Sequence, residues 1–95
     1  MKYALEIKEE ADLDIAEAYL YYESQQMGLG DHFLSQLDTY LERIRAYPEH
    51  YPKKRSPYRE VFIKKFPYLI IYEVVETKII VYAVFNTWQD LGKRP

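Results

Sequence analysis

The region from Tyr58 to Phe85 constrains the fold most, because it contains three runs of β-branched and aromatic residues separated by two short breaks. Such residues pack well on the surface of a pleated sheet. The break at Glu76-Thr77 has the two-residue length of a tight hairpin, although it lacks Asn-Gly or Asp-Gly. The other break centres on Pro67, which cannot donate a hydrogen bond to a sheet. The pattern predicts a three-stranded antiparallel meander over 58–86.

Two amphipathic helices are predicted ahead of the meander. A short alternating strand over 2–7 is followed by apolar residues at helical spacing over 9–26 and again over 29–47. Gly28 can take the left-handed conformation that ends a helix, and Pro48 stops the second helix. A connection this short predicts an antiparallel helical hairpin. The predicted buried stripe of the first helix contains Ala11, Ile15, Ala18 and Tyr22, widened by Leu13 and Tyr19.

These elements predict an α+β fold in the order β-α-α-β-β-β. The 95 residues form one domain, with the helical hairpin on one face of a small, mostly antiparallel four-stranded sheet and a polar tail over 87–95. Each meander strand is apolar on both sides, so both faces of the sheet need a cover. The hairpin covers one face. We expect the other to be open and to bind a partner.

Composition excludes several classes of site. The chain has no cysteine, which excludes a disulfide, a thiolate nucleophile and a Cys-type metal site. Its two histidines, His32 and His50, fall on a helix surface and in a loop, so neither a metal nor a cofactor is expected. No apolar run reaches the length of about 18 residues that a membrane span needs, and the start lacks the apolar core of a signal peptide. We expect a cytoplasmic protein.

Positive charge is concentrated in one stretch of a chain whose net charge is −2. The overall charge argues against nucleic-acid binding by bulk electrostatics, so the basic stretch needs a local explanation. It is either a solvated loop or a contact surface for an anionic partner. The predicted binding surface comprises Lys53, Lys54, Arg55, Arg59, Tyr68, Tyr72, Trp88, Lys93 and Arg94.

A series of short motifs occurs in order along almost the whole chain. They are Tyr21-Tyr22, Gly28-Leu29-Gly30 with Phe33, Pro48 with Tyr51-Pro52, Arg59, Phe66-Pro67-Tyr68, Tyr72, and Val81 to Phe85. With these motifs the chain resembles the RelE/ParE superfamily of toxins from bacterial type II toxin–antitoxin modules, on the plasmid-stabilisation branch. The resemblance implies a growth inhibitor that forms a hetero-oligomer with a cognate antitoxin. It also implies one of two targets: messenger RNA cut on the ribosome, or DNA gyrase inhibited without cleavage.

The two targets differ in the cations that they require. RelE-type nucleases, which must stabilise phosphate charge, carry alternating lysines on the strand before the turn and an arginine after its tyrosine. Aligned on Tyr68, those positions in this chain hold Glu60, Phe62 and Leu69. Past the last strand, Asn86 and Gln89 occupy positions where relatives often carry histidine and arginine.

The leading interpretation is therefore a ParE-like toxin that acts by protein contact, with DNA gyrase as the expected target. One alternative is a RelE-like messenger-RNA endonuclease with an unusual basic set, for which Arg59, Lys64 and Lys65 are the candidate catalytic cations. Another alternative is an inactive relic that only binds its antitoxin.

Overall fold

The computed structural model describes residues 3–88 as two helices and four strands. The strands form one sheet in the order β1-β4-β3-β2, in which β1 is parallel to β4 and the other neighbours are antiparallel. The predicted α+β fold and its element order are confirmed. The elements are β1 (Ala4–Ile7), α1 (Glu9–Gln25), α2 (Leu29–Ala46), β2 (Arg59–Phe62), β3 (Tyr68–Val75) and β4 (Lys78–Asn86).

The connection between α1 and α2 is fixed by one carboxylate and two glycines. Gly28 has a φ of 88°, in the left-handed region, and turns the chain between the helices. The Glu23 carboxylate accepts hydrogen bonds from the amides of Gly28 (3.0 Å) and Gly30 (2.8 Å). These bonds satisfy amides that have no partner inside α2. At Gly30 the helices approach so closely that an added Cβ would lie 2.8 Å from the Tyr19 carbonyl oxygen.

The main core lies between the helical hairpin and one face of the sheet. Ala11 and Ala18 of α1 and Phe33 and Ile44 of α2 are buried against this face. At one end of the core the Phe33 ring lies 5.1 Å from the Tyr68 ring and 5.3 Å from that of Phe66, in edge-to-face geometry. Neither helix within residues 3–88 is long and apolar enough to cross a membrane.

The second face of the sheet is not the open apolar surface that the sequence predicted. Leu69 and Ile71 are completely buried on this face, and Tyr58 packs against the cluster that they form with Ala83 and Phe85. The expectation was wrong because it assumed that only the helices can cover the sheet. The chain entering β2 also contributes, since its Tyr58 lies over the sheet.

A β-bulge shapes the same face. Ile71 pairs with Ala83 and Tyr72 pairs with Val81, so Tyr82 is left without a partner across the ladder. The Tyr82 ring lies 5.5 Å from that of Tyr58, and its hydroxyl donates a 2.8 Å hydrogen bond to Glu73. This bond to a carboxylate raises the pKa of Tyr82 to about 12.

Candidate functional site

The three positions that the resemblance associates with nuclease cations come together on the second face of the sheet. Phe62 pairs with Leu69, and Glu60 lies two residues before Phe62 on the same side of β2. Phe62 is exposed, whereas Leu69 is fully buried and Glu60 nearly so. The Glu60 carboxylate lies 4.0 Å from the Arg55 guanidinium. The resulting surface presents a phenyl ring beside a paired carboxylate instead of three cations.

Arg59 anchors the preceding loop. Its guanidinium donates hydrogen bonds to the carbonyl oxygens of Tyr51 (2.6 Å) and Glu49 (3.2 Å), and it lies 4.0 Å from the Glu49 carboxylate. The side chain is only 11% exposed. Arg59 pairs with Tyr72 in the sheet, and its side chain lies on the helix-facing side, opposite to Glu60 and Phe62. These contacts explain Arg59 as a structural residue that fastens the loop to β2.

The lysines of the basic stretch occupy two separate places. Lys53 and Lys54 are exposed in the loop before β2, and Lys64 and Lys65 are exposed on the turn between β2 and β3. None of the four forms a salt bridge within the described chain. The remaining cations of the predicted surface, Lys93 and Arg94, lie outside the described residues.

Tyr72 was predicted on the binding surface, but it is part of the core. Its side chain is fully buried, and its hydroxyl donates a 2.7 Å hydrogen bond to the Pro48 carbonyl oxygen. Burial raises the pKa of Tyr72 to about 12. The prediction was wrong because the pairing of Tyr72 with Arg59 points both side chains toward the helices. Tyr68 is also largely buried, and its hydroxyl accepts a long hydrogen bond from Asn86 (3.4 Å).

A cleft of about 670 Å³ opens between α1, the β2–β3 turn and the end of β4. It brings together Tyr68 and Trp88 of the predicted surface and Lys65 of the predicted catalytic set. Trp88 is 84% exposed. The α1 side of this α1–β4 cleft is formed by Asp14, Glu17, Ala18, Tyr21 and Tyr22.

Asp14 ties α1 to the open edge of β4 in this cleft. Its carboxylate accepts a 3.0 Å hydrogen bond from the amide of Val84, past the point where β1 ends. Burial is the main cause that raises the pKa of Asp14, and repulsion from Glu17 and Glu10 adds to it. In the sequence alone, Asp14 and Glu17 are typical of the solvated face of an amphipathic helix. Their spacing of three residues, with Tyr21 four residues further, was the signal for a shared wall.

The outer side of α1 carries an exposed apolar stripe. Leu13 and Leu20 are 60% and 66% exposed and lie seven residues, or about two helical turns, apart. Met27 is 91% exposed and follows in the turn after α1 has ended at Gln25. Leu13 was predicted to belong to the buried stripe, which is wrong. It lies two residues, or about 200° around the helix, from Ala11, whose side chain faces the core. We call Leu13 and Leu20 the α1 stripe.

No group of three or more metal-ligating side chains lies together within residues 3–88. His32 is exposed on α2, with its ring 5.6 Å from that of Phe66, and His50 is exposed beside Tyr51 in the loop. Both contacts are edge-to-face ring packing.

Comparisons with known proteins place the chain in a family. The family model described as the ParE toxin of the type II toxin–antitoxin system parDE matches residues 5–91. A search of curated proteins finds no match. A solved structure of the chromosomal ParDE toxin–antitoxin system from P. aeruginosa matches with a TM-score of 0.78 and 11% identity, covering 88% of this chain and 95% of that chain. The likeness in structure shows a common fold, and the family match over most of the sequence shows that this chain belongs to the ParE toxin family of type II toxin–antitoxin systems.

Proposed function

We propose that this ParE-type toxin inhibits growth by binding a protein target, with DNA gyrase as that target, and that a cognate antitoxin neutralises it. The observation that carries the first part is the exposed ring of Phe62, which lies beside the nearly buried Glu60 and the buried Leu69. A cytoplasmic location, a role in plasmid stabilisation and a hetero-oligomer with the antitoxin belong to the same proposal.

The chemistry of that surface disfavours RNA cleavage. Cutting a ribose-phosphate backbone needs a base for the 2′-hydroxyl and cations for the charge that develops on the phosphate. Glu60 offers a carboxylate, but it is nearly buried and lies beside Arg55. Phe62 and Leu69 offer no charge at all. An exposed phenyl ring next to a buried apolar cluster is better suited to contact with a protein.

The test is induced expression of the toxin beside two reporters, one for DNA damage and one for the rate of translation. We expect the DNA-damage reporter to respond first, because a poisoned gyrase leaves broken DNA. A fall in translation with ribosome-dependent cleavage of messenger RNA by the purified protein would overturn the proposal. A response from neither reporter would identify an inactive relic.

Two variants sharpen this test. Glu60→Gln keeps the size of the side chain but removes the carboxylate that lies beside Phe62, so we expect unchanged growth inhibition. Lys53→Ala with Lys54→Ala tests the basic loop separately, since neither lysine forms a salt bridge within residues 3–88. Unchanged inhibition would assign that loop to solvation, and lost inhibition would assign it to target binding.

The α1 stripe supports the second part of the proposal. Leu13 and Leu20, two large apolar side chains exposed two turns apart on one helix, have the spacing of a seam that a partner helix covers in a coiled-coil-like contact. Met27 adds an exposed apolar side chain in the turn that follows α1. We assign this stripe to contact with the antitoxin.

Co-expression with the product of the gene directly upstream tests this assignment. The double variant Leu13→Gln with Leu20→Gln replaces both apolar side chains by glutamine, which is polar and a good helix former. We therefore expect a folded, toxic protein that the antitoxin no longer neutralises. The control is Asp38→Gln with Thr39→Gln on the exposed side of α2, which should stay neutralised. If the antitoxin suppresses the stripe variant as fully as the control, it binds elsewhere.

A further inference from the structure

The α1–β4 cleft has two chemically different walls. Its α1 side carries the carboxylates of Asp14 and Glu17, with the Tyr21 ring one turn further. Trp88 stands exposed at its mouth. Lys65 supplies one positive charge from the β2–β3 turn, so the lining has two negative charges against one positive. The negative side is α1.

The two carboxylates are not neutralised within the described chain. Neither Asp14 nor Glu17 forms a salt bridge among residues 3–88, and the described partner of Asp14 is the uncharged amide of Val84. The pKa of Asp14 is raised by burial and by the neighbouring acids. A cation entering the cleft would offset both effects, because an opposite charge within a few ångströms favours the ionised carboxylate.

The aromatic groups narrow the identity of that cation. Tyr21 is 56% exposed and Trp88 is 84% exposed, so both rings are accessible to an incoming group. A guanidinium stacks flat on aromatic faces and pairs with a carboxylate through two parallel hydrogen bonds, whereas an ammonium is a compact, strongly hydrated point charge that lacks this planar geometry. The volume of about 670 Å³ lies within the range of about 300–1,000 Å³ typical of ligand sites. Leu29, Pro67 and Val84 in the lining would accommodate apolar residues beside the cation.

We propose that the α1–β4 cleft receives an arginine side chain from an extended segment of a partner protein, held between the Asp14 and Glu17 carboxylates and the rings of Tyr21 and Trp88. Charge complementarity selects the arginine, and the apolar part of the lining selects its neighbours. The site is separate from the α1 stripe and from the surface around Phe62.

The test is an NMR titration of the full-length, ¹⁵N-labelled protein with two blocked peptides, acetyl-Val-Arg-Val-amide and acetyl-Val-Gln-Val-amide. The peptides differ only in the charged group. We expect the arginine peptide to bind about fivefold more tightly, the ratio that a modest ion pair with aromatic stacking supplies. The chemical-shift changes that this peptide causes in the protein should be centred on residues 14–21 and the Trp88 indole.

Two double variants with the same change in net charge make the result specific. Asp14→Asn with Glu17→Gln removes the wall carboxylates, and the asparagine oxygen can still accept the hydrogen bond from Val84. This variant should bind both peptides equally. The control, Glu9→Gln with Asp12→Asn, removes two exposed charges at the start of α1 and should keep the fivefold preference.

Three results would overturn the proposal. They are equal binding of the two peptides to the wild-type protein, an equal loss of preference in the control variant, and shifts centred away from the cleft. The titration needs neither growth inhibition nor an antitoxin. Its failure would therefore leave the proposed toxin function standing, and a negative expression assay would leave the cleft proposal standing.

Discussion

Gly30 should be the more sensitive of the two glycines that lie within residues 3–88, because a side chain added there would meet the backbone of α1. In Gly30→Ala the new Cβ would lie 2.8 Å from the carbonyl oxygen and Cδ1 of Tyr19 and 2.8 Å from the Glu23 carboxylate. The two side chains can adjust. The Tyr19 carbonyl oxygen belongs to the backbone of α1, so relieving that contact requires the helices to separate.

The expected cost follows from two opposing terms. Forcing an extra methyl group into a packed contact costs about 1–3 kcal/mol. Alanine regains up to about 1 kcal/mol relative to glycine in a helix, and less near the helix start where Gly30 lies. The net loss of about 1–2 kcal/mol should lower the Tm by about 5–15 °C in a domain of this size.

Thermal unfolding followed by far-UV circular dichroism measures the effect. Ser35→Ala on the exposed surface of the same helix is the control and should change the free energy of unfolding by less than about 0.5 kcal/mol. Gly28→Asn is a second comparison, because nothing lies within 4 Å of its Cβ position and asparagine tolerates the left-handed conformation. A Tm for Gly30→Ala equal to that of Ser35→Ala would refute the steric reasoning.

Three further predictions concern other parts of the fold. Tyr72→Phe leaves the Pro48 carbonyl oxygen without its buried donor and should cost about 1–2 kcal/mol, seen as a lower denaturation midpoint, with growth inhibition retained. Glu76→Gly relieves a positive φ of 56° in the β3–β4 turn and should raise the Tm, for a gain of about 0.5–1 kcal/mol; an unchanged Tm would show that the turn is unstrained. The pKa of Glu23 is lowered in the folded protein, chiefly because the Gly28 amide donates a hydrogen bond to its carboxylate. The ionised carboxylate therefore stabilises the fold. This contribution is complete above the ordinary pKa of 4.5 and is lost as the pH falls through the lowered pKa. Unfolding at a series of acidic pH values should show a weaker pH dependence for Glu23→Gln than for the wild type.

The helices and strands were predictable because their signals are local. The spacing of Phe33, Leu37 and Ile44 marks the buried side of α2, and all three are buried in the structure. The three runs of β-forming residues and the break at Glu76 were sufficient to predict the meander. The parallel pairing of β1 with β4 is not local, so the alternating pattern over 2–7 predicted a strand but neither its partner nor its direction.

The predicted site was less accurate, because it depended on which face each residue occupies. Both faces of β3 are apolar, so the pattern alone could not place Tyr72 in the core or show that Tyr58 covers the other face. The sequence leaves Arg59 either in a contact surface or in an ion pair with a helix acid, and only the folded loop brings the carbonyl oxygen of Tyr51 to it. The α1–β4 cleft joins segments far apart in the chain, so composition gives no sign of it.

The pairing of the first strand with the last has a consequence for synthesis of the toxin. Ala4–Ile7 pairs with Lys78–Val81, and roughly 70 residues separate the two partners. At 5–20 residues per second, a ribosome needs about 4–14 s to make that interval. A nascent chain can form its helical hairpin during this time, but β1 has nothing to pair with. Val84 and the rest of the cleft's β4 side do not yet exist, so a stalled or truncated chain lacks this surface altogether.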